Sequence, residues 1–213
     1  MSLFINGLFT GILKPDAVVG GSIAIYENAW TDTQGTINNI EAECKNPDSG
    51  AYWMQAETVG AGAFQNMRTN KLLPVTHLGK ISNNITLQQV HNQYNMLLTS
   101  AIPDYVEQHQ MKFELWHEDY AILKYGVGEE YKQHFDGSTS SGRAISAICY
   151  LNNDFEGGEI EFVHFGIKIS PQPGMLILFP SNYAYAHIAH AVTKGTKYAL
   201  VTWLRDRHLD RPF

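Results

Sequence analysis

The sequence predicts an α+β fold that is mainly β, in which a double-stranded β-helix, or jelly roll, is braced by helices from the N-terminal half. From about residue 113 onward, short apolar or alternating runs follow one another at close spacing. Turn-forming residues, above all glycine, separate these runs, as is typical of sandwiches and barrels. Earlier in the chain, two segments repeat their apolar residues with the period of a helix.

The first helix is expected over residues 36–46. Ile37, Ile40 and Cys44 recur there at helical spacing. Pro47 follows and closes the segment, because proline disfavours helical backbone at the residue before it.

The second helix is expected over about residues 85–100. Asn84 is suited to cap its first turn, and Pro103 lies where it would follow the end of the helix. The residues that would form its apolar face are Leu87, Val90, Tyr94, Leu97 and Leu98.

The predicted strands concentrate in the second half of the chain. Residues 1–30 are expected to form irregular strands and turns, and residues 51–69 two strands with a bend at Gly60 and Gly62. We expect residues 1–110 to supply supporting helices and strands and residues 111–213 to form the jelly-roll core, together as one structural unit. The five clearest runs cover residues 120–125, 144–151, 160–165, 175–179 and 198–204.

Composition excludes several classes of protein. The 213 residues include 15 Lys and Arg against 21 Asp and Glu, for a net charge of −6. This balance argues against a broad nucleic-acid surface, which needs a positive stripe. Two cysteines against nine histidines argue against a disulfide scaffold or a thiolate zinc module. A metal in this protein would therefore be held by imidazole and carboxylate groups.

The sequence carries no evident targeting signal. The apolar N-terminus lacks a basic segment and is interrupted by Asn6 and Gly7, which argues against a signal peptide. No apolar run approaches the ~18 residues that would suggest a membrane span. We therefore expect a cytoplasmic protein without a membrane partner.

The pattern His-x-Asp is the candidate metal motif, and it occurs three times, beginning at His117, His134 and His208. On a strand, such a pair projects both side chains to one face, because strand side chains alternate. A third histidine from another strand would complete a facial triad. That arrangement leaves three coordination positions open and is used by non-haem Fe(II) oxygenases.

The surroundings of the three pairs differ. The pair at His208 lies near the C-terminus among charged residues, where a solvated tail is expected. The pair at His117 stands beside Glu118, as at a sheet surface or edge. The pair His134 and Asp136 precedes a loop rich in glycine and serine that could shape a pocket mouth. Spacing alone leaves open whether this pair binds a metal.

A longer ordered set of motifs surrounds His134. In this set the sequence resembles the prolyl 4-hydroxylase-like branch of the Fe(II)/2-oxoglutarate dioxygenases, over about residues 113–205. The N-terminal half matches weakly, although residues 68–70 (Arg-Thr-Asn) resemble an Arg-Thr-Ser stretch of that family. The matching runs are residues 123–136, 143–152, 157–162, 173–180, 187–197 and 198–204.

The resemblance implies a ligand set. It implies His134 and Asp136 as the first two iron ligands. The family places its last ligand ten residues before a basic residue that holds the distal carboxylate of 2-oxoglutarate, and His187 and Lys197 have that spacing. His190 is a rival for the last ligand. A two-residue hairpin loop at residues 194–195 would put His190 on the face of Lys197, and a three-residue loop at residues 194–196 would put His187 there.

The resemblance also implies roles for four further residues. Tyr150 and Tyr125 match tyrosines that line the cosubstrate pocket, and core packing is the competing interpretation for both. Arg143 matches an arginine that contacts the prolyl substrate, and a surface arginine is the alternative. Trp203 is expected in the core, with one edge near the substrate. Substrate-facing segments are expected at residues 137–142 and around residues 60–80.

The function implied is hydroxylation of a C–H bond, most simply of a peptidyl proline, with release of succinate and CO2. Fe(II), 2-oxoglutarate and O2 would be required, with ascorbate as a reductant, and a proline-containing peptide or protein would be the partner. One alternative is the same chemistry on a non-prolyl side chain, a free amino acid or a metabolite. Another is a cupin-like protein that binds a metal or sugar without turnover.

Overall fold

The computed structural model describes residues 11–56, 67–75, 84–112, 114–137 and 141–207. Gly60, Gly62 and the pair His208 and Asp210 lie outside these ranges. The described α-helices are α1 (Thr33–Lys45) and α2 (Ile85–Gln108), and a short 3-10 helix covers Tyr183–Tyr185. The strands are β1 (Ala17–Val19), β2 (Ile23–Tyr26), β3 (Met54–Gln55), β4 (Lys71–Pro74), β5 (Leu115–His117), β6 (Ala121–Tyr125), β7 (Tyr131–His134), β8 (Arg143–Tyr150), β9 (Glu156–Gly157), β10 (Ile160–Phe162), β11 (Ile167–Ile169), β12 (Leu176–Pro180), β13 (His187–Ala189), β14 (Val192–Lys194) and β15 (Lys197–Asp206).

Two antiparallel sheets form the body of the fold. In the described part of the chain, the major sheet has nine strands in the order β1-β2-β12-β8-β15-β6-β4-β3, and β5 also pairs with β15. The minor sheet has the order β11-β10-β13-β7, and β9 pairs with β14. The predicted mainly-β fold is confirmed, and strands from the N-terminal half extend the major sheet.

The two faces of the major sheet have different partners. On β8, Ile145, Ala147 and Cys149 are buried in the hydrophobic cluster that also contains the apolar face of α2. The alternate residues Ile148 and Tyr150 face a cavity on the other side of the sheet. This alternation follows from the two-residue period of a strand. The helices therefore cover one face and leave the other to form a site.

Helix α2 is longer than predicted. Asn84 caps it as expected, since its side chain accepts a hydrogen bond from the backbone N–H of Leu87 at 3.0 Å. The prediction that Pro103 follows the helix is wrong, because the helix continues through it to Gln108. Proline inside a helix costs about 3 kcal/mol. Burial of the last turn offsets this cost: Tyr105 is 1% exposed and its hydroxyl donates to the Ser22 carbonyl.

The expected hairpin between β14 and β15 does not form. Strand β14 pairs with β9, whereas β15 pairs with β5, β6 and β8, so the chain passes from one sheet to another between them. Gly195 permits this passage, with a φ of +80° and a Cβ position 2.7 Å from the Asp154 carbonyl oxygen. Loop length therefore does not determine which histidine shares a face with Lys197.

Neither described helix is long and apolar enough to cross a membrane.

Candidate metal centre

Three ligand-bearing side chains meet at one edge of the minor sheet. His134 ends β7 and His187 begins β13, and the two residues are directly paired across these strands. Asp136 follows two residues after His134. Its Oδ1 lies 3.6 Å from His134 Nε2, and its Oδ2 lies 3.9 Å from His187 Nε2. Within the described ranges, this is the one cluster of three His, Cys, Asp or Glu residues with metal-binding spacing.

Backbone carbonyls orient both imidazoles. Nδ1 of His134 lies 2.7 Å from the Lys132 carbonyl oxygen, and Nδ1 of His187 lies 3.1 Å from that of Tyr185. A nitrogen that faces a carbonyl must carry the proton, so each Nε2 presents its lone pair. Both lone pairs are therefore available to a metal beside Asp136.

The protonation states suit cation binding. Burial, with the neighbouring His187, lowers the pKa of His134 to about 3, so this imidazole is neutral at physiological pH. Burial alone would raise the pKa of Asp136, but His187, His134 and the Ser146 hydroxyl together hold it below its usual value. Neutral imidazole and ionised carboxylate are the forms that ligate metals.

A cavity of about 970 Å³ opens from this cluster and runs between the two sheets. Lys197 lies in its wall and is 2% exposed. Its Nζ donates to the Gly158 carbonyl at 2.8 Å and lies 4.2 Å from the centre of the Tyr125 ring. Tyr150, also buried, lines the same cavity. Burial, opposed in part by Glu159, lowers the pKa of Lys197 to about 7.

The surroundings of Lys197 fit an anionic ligand. Within the described part of the chain, the Gly158 carbonyl is its one hydrogen-bond acceptor, although an ammonium group has three donors. A buried cation without a carboxylate partner is costly. A dianion that reached from the metal to Lys197 would remove that cost. An anionic ligand bound in this cavity would thus make use of the remaining donors of Lys197.

Arg143 and Trp203 lie together at the cavity wall. The guanidinium of Arg143 stacks 3.7 Å from the Trp203 ring centre and binds both carboxylate oxygens of Glu118, at 2.9 and 2.7 Å. Its Nη1 also donates to the Asp136 carbonyl at 3.2 Å. Glu118 lies 25 residues before Arg143, and sequence reasoning missed this partner because no local pattern links the two.

Sequence reasoning also missed Tyr131 as part of the site. Its ring stacks on His134, with 3.4 Å between ring centres and 11° between planes. The guanidinium of Arg68 lies 4.9 Å from the centre of the Tyr131 ring. Tyr131 precedes His134 on the same strand, and an aromatic residue there was a signal that could have been used.

The rival histidines are engaged elsewhere. Nε2 of His190 lies 2.6 Å from Oε2 of Glu161, and its side chain remains 31% exposed. His117 packs against the ring of Tyr120 with centres 5.0 Å apart. Neither belongs to the cluster of three ligands.

Comparison with known proteins matches residues 120–205 to the 2OG-Fe(II) oxygenase superfamily. Probable prolyl 4-hydroxylase 9 of Arabidopsis thaliana is 30% identical over 119 residues, which are 42% of this chain and 41% of that protein. Prolyl 3-hydroxylase 1 of Gallus gallus is 41% identical over 76 residues, which are 32% of this chain and 10% of that protein. The chain thus spans less than half the length of these relatives.

Solved structures share the fold at lower identity. A viral collagen prolyl hydroxylase from Paramecium Bursaria Chlorella virus-1 has a TM-score of 0.60 at 20% identity, covering 88% of this chain and 97% of that one. A prolyl hydroxylase from Trichoplax adhaerens, bound to a peptide of the hypoxia inducible factor oxygen degradation domain, has a TM-score of 0.69 at 15% identity. That match covers 89% of this chain and 86% of the other.

The donor set suits the metal of this superfamily. Two imidazoles and one carboxylate on one side of a site are typical of non-haem Fe(II) centres that bind further ligands. The buried Lys197 places an amine in the wall of the same cavity. Residues 120–205 of this chain thus match the 2OG-Fe(II) oxygenase superfamily, and the chain is similar to the prolyl hydroxylases in part of its sequence and in its fold.

Proposed function

We propose that this protein is an Fe(II)- and 2-oxoglutarate-dependent dioxygenase that hydroxylates a prolyl residue of a peptide or protein. The observation that carries the proposal is the presence, in one cavity, of the His134, Asp136 and His187 cluster and the buried Lys197. A protein that only bound a metal or a sugar would have no need of a buried ammonium at this place, because its desolvation is costly.

In this proposal, the metal and the cosubstrate are held by residues from different sheets. His134, Asp136 and His187 would hold Fe(II), and Lys197 would hold the distal carboxylate of 2-oxoglutarate. When bound, Fe(II) and 2-oxoglutarate supply the oxidation of a C–H bond by O2, with release of succinate and CO2. Tyr125 and Tyr150 line the same cavity and would exclude water from the space between the metal and Lys197.

The mouth of the cavity would orient the substrate. Trp203 supplies an apolar ring beside Asp136, and Arg143 covers that ring. A pyrrolidine ring is small and apolar, and it would pack against such a surface. The prolyl hydroxylases among the relatives support this choice of substrate. We include ascorbate in the proposal as the reductant that keeps the iron in its Fe(II) state.

The test is succinate formation with Fe(II), 2-oxoglutarate and ascorbate, using proline-rich peptides and matched peptides with alanine in place of proline. We expect succinate and a peptide heavier by one oxygen atom only when proline is present. His187→Ala should abolish both products. His190→Ala is the matched control and should retain them, because His190 pairs with Glu161 instead. Turnover on the alanine peptides alone would refute the proline assignment.

A further inference from the structure

We propose that Ser146 and Ser181 are positioning residues that hold the Asp136 carboxylate in place for the metal. The Oγ of Ser146 donates to Asp136 Oδ2 at 2.6 Å, and the two serine Oγ atoms are 2.8 Å apart. Both serines are almost wholly buried, at 0% and 1% exposure. The proposal rests on the metal site of the proposed function, and it is independent of the substrate.

The number of available protons fixes which group donates in each of these two hydrogen bonds. The ionised carboxylate of Asp136 can only accept, so the single proton of the Ser146 hydroxyl must point to Oδ2. The contact between the two serines then requires Ser181 to donate and Ser146 to accept. Donation from Ser181 polarises the Ser146 hydroxyl and strengthens its bond to Asp136.

Ser181 also holds the residue after Asp136, through a backbone hydrogen bond. Its carbonyl accepts the backbone N–H of Gly137, the residue after Asp136, at 2.7 Å. A Cβ at Gly137 would lie only 2.9 Å from that carbonyl oxygen, so the close approach requires glycine. Ser181 directly follows β12, a wholly buried strand of the major sheet. The segment that carries Asp136 is thereby fastened to the buried strand β12 of the major sheet.

The consequence concerns how Asp136 presents its oxygens. Ser146 occupies Oδ2, which leaves Oδ1, 3.6 Å from His134 Nε2, available to the metal. Without the hydroxyl, the carboxylate could turn and would leave Oδ2 buried without its partner. Groups that hydrogen-bond to metal ligands change metal affinity by about 10- to 100-fold when they are removed.

The experiment measures metal binding by calorimetry, with Co2+ as the probe and without substrate or turnover. We expect Ser146→Ala to raise the Kd about tenfold or more and to alter the Co2+ absorption spectrum. Ser146→Thr keeps the hydroxyl and should restore both the affinity and the spectrum. Thr36→Val is the control. It removes a buried hydroxyl that accepts from the Trp30 indole N–H, outside the cavity, and should leave the Kd unchanged.

A double-mutant cycle tests the relay. Ser181→Ala alone should weaken binding less than Ser146→Ala, and the double variant should bind as weakly as Ser146→Ala alone, because Ser181 acts through Ser146. A folded Ser146→Ala protein with unchanged Co2+ affinity would overturn this proposal alone. Failure of the unmodified protein to bind Co2+ would overturn the proposed function as well. Additive effects of the two substitutions would reject the relay.

Discussion

Lys197 is the residue at which the proposed function depends most on a bound ligand. Its ammonium group has one carbonyl acceptor in the described part of the chain and lies against the ring of Tyr125. Burial makes the charged form costly, which is why its pKa falls to about 7. A dicarboxylate would restore the charge and make use of the remaining donors.

We predict that Lys197→Met weakens 2-oxoglutarate binding and spares the metal. Loss of one member of a buried charged pair costs about 2–5 kcal/mol, so the Kd should rise at least about 30-fold. Calorimetry with Mn2+ present measures this value, and Mn2+ titration alone should be unaffected. Lys194→Met is the control, since that lysine is 76% exposed and pairs with Glu156. Equal losses of 2-oxoglutarate affinity in Lys197→Met and Lys194→Met would contradict the proposed role of Lys197.

We predict that 2-oxoglutarate affinity falls as pH rises above about 7. The lowered pKa means that Lys197 is largely neutral at pH 8, and the ligand must then bind together with a proton. Below pH 7 the lysine is already charged, and the affinity should level off. Calorimetry at pH 8 in two buffers of different ionisation enthalpy should show uptake of about one proton. Lys197→Arg should abolish the uptake, because arginine stays protonated. Absence of proton uptake when the unmodified protein binds 2-oxoglutarate at pH 8 would contradict this prediction.

At the scale of elements, one carboxylate on α1 makes hydrogen bonds to the start of α2. Oε2 of Glu43 on α1 accepts from Asn84 at 2.7 Å, and Oε1 accepts from Thr86 at 2.7 Å. Asn84 in turn caps α2 through the N–H of Leu87. A negative charge at a helix N-terminus also interacts favourably with the positive end of the helix dipole. Glu43 thus joins the start of α2 to α1.

We predict that Glu43→Ala lowers the free energy of unfolding by about 1–3 kcal/mol, because it leaves two hydrogen bonds unmade at a helix N-terminus. Urea denaturation would measure the loss. Co2+ affinity should not change, because the helices lie on the face of the major sheet away from the cavity. Glu107→Ala, at an exposed position near the end of α2, should alter stability by no more than about 0.5 kcal/mol. A comparable loss of stability in Glu107→Ala would show that the effect of Glu43→Ala comes from the lost charge and not from the two hydrogen bonds.

At the scale of the whole molecule, the site spans both sheets. His187 and His134 belong to the minor sheet, whereas Lys197, Tyr125 and Tyr150 belong to the major sheet. A ligand that touches the metal and Lys197 would therefore link the two sheets. Binding to the folded state alone stabilises it by mass action.

We predict that Mn2+ and 2-oxoglutarate together raise the Tm more than Mn2+ does alone. At about 100 times its Kd, 2-oxoglutarate should add about 2.7 kcal/mol, which is a shift of several degrees for a chain of this size. EDTA should remove the whole increase. Lys197→Met should keep the response to Mn2+ and lose the further response to 2-oxoglutarate. A full 2-oxoglutarate response in that variant would show that the two sheets are not linked through Lys197.

Much of the fold and the candidate site could be read from local patterns. The short apolar or alternating runs at residues 144–151 and 198–204 indicated strands, and β8 and β15 lie there in the structure. His134 and Asp136 lie two residues apart, so their proximity needed no knowledge of the rest of the fold. The resemblance added His187 and Lys197 through their spacing.

Other features depend on how distant strands meet. Pro103 lies inside a helix because burial of the last turn outweighs its local cost. Strands β14 and β15 enter different sheets, which no turn signal revealed. Ser146 could have been suspected, since it shares the cavity-facing parity of Ile148 and Tyr150, but its bond to Ser181 spans 35 residues.

The amino-acid pattern alone was sufficient for the mainly-β fold class, the strands of the second half of the chain and the close spacing of His134 and Asp136. These properties follow from the two-residue period of a strand and from residues close together along the chain. The pairing of Arg143 with Glu118 and the support of Asp136 by the two serines arise only on folding. They depend on strand register and on burial, which are properties of the packed molecule as a whole.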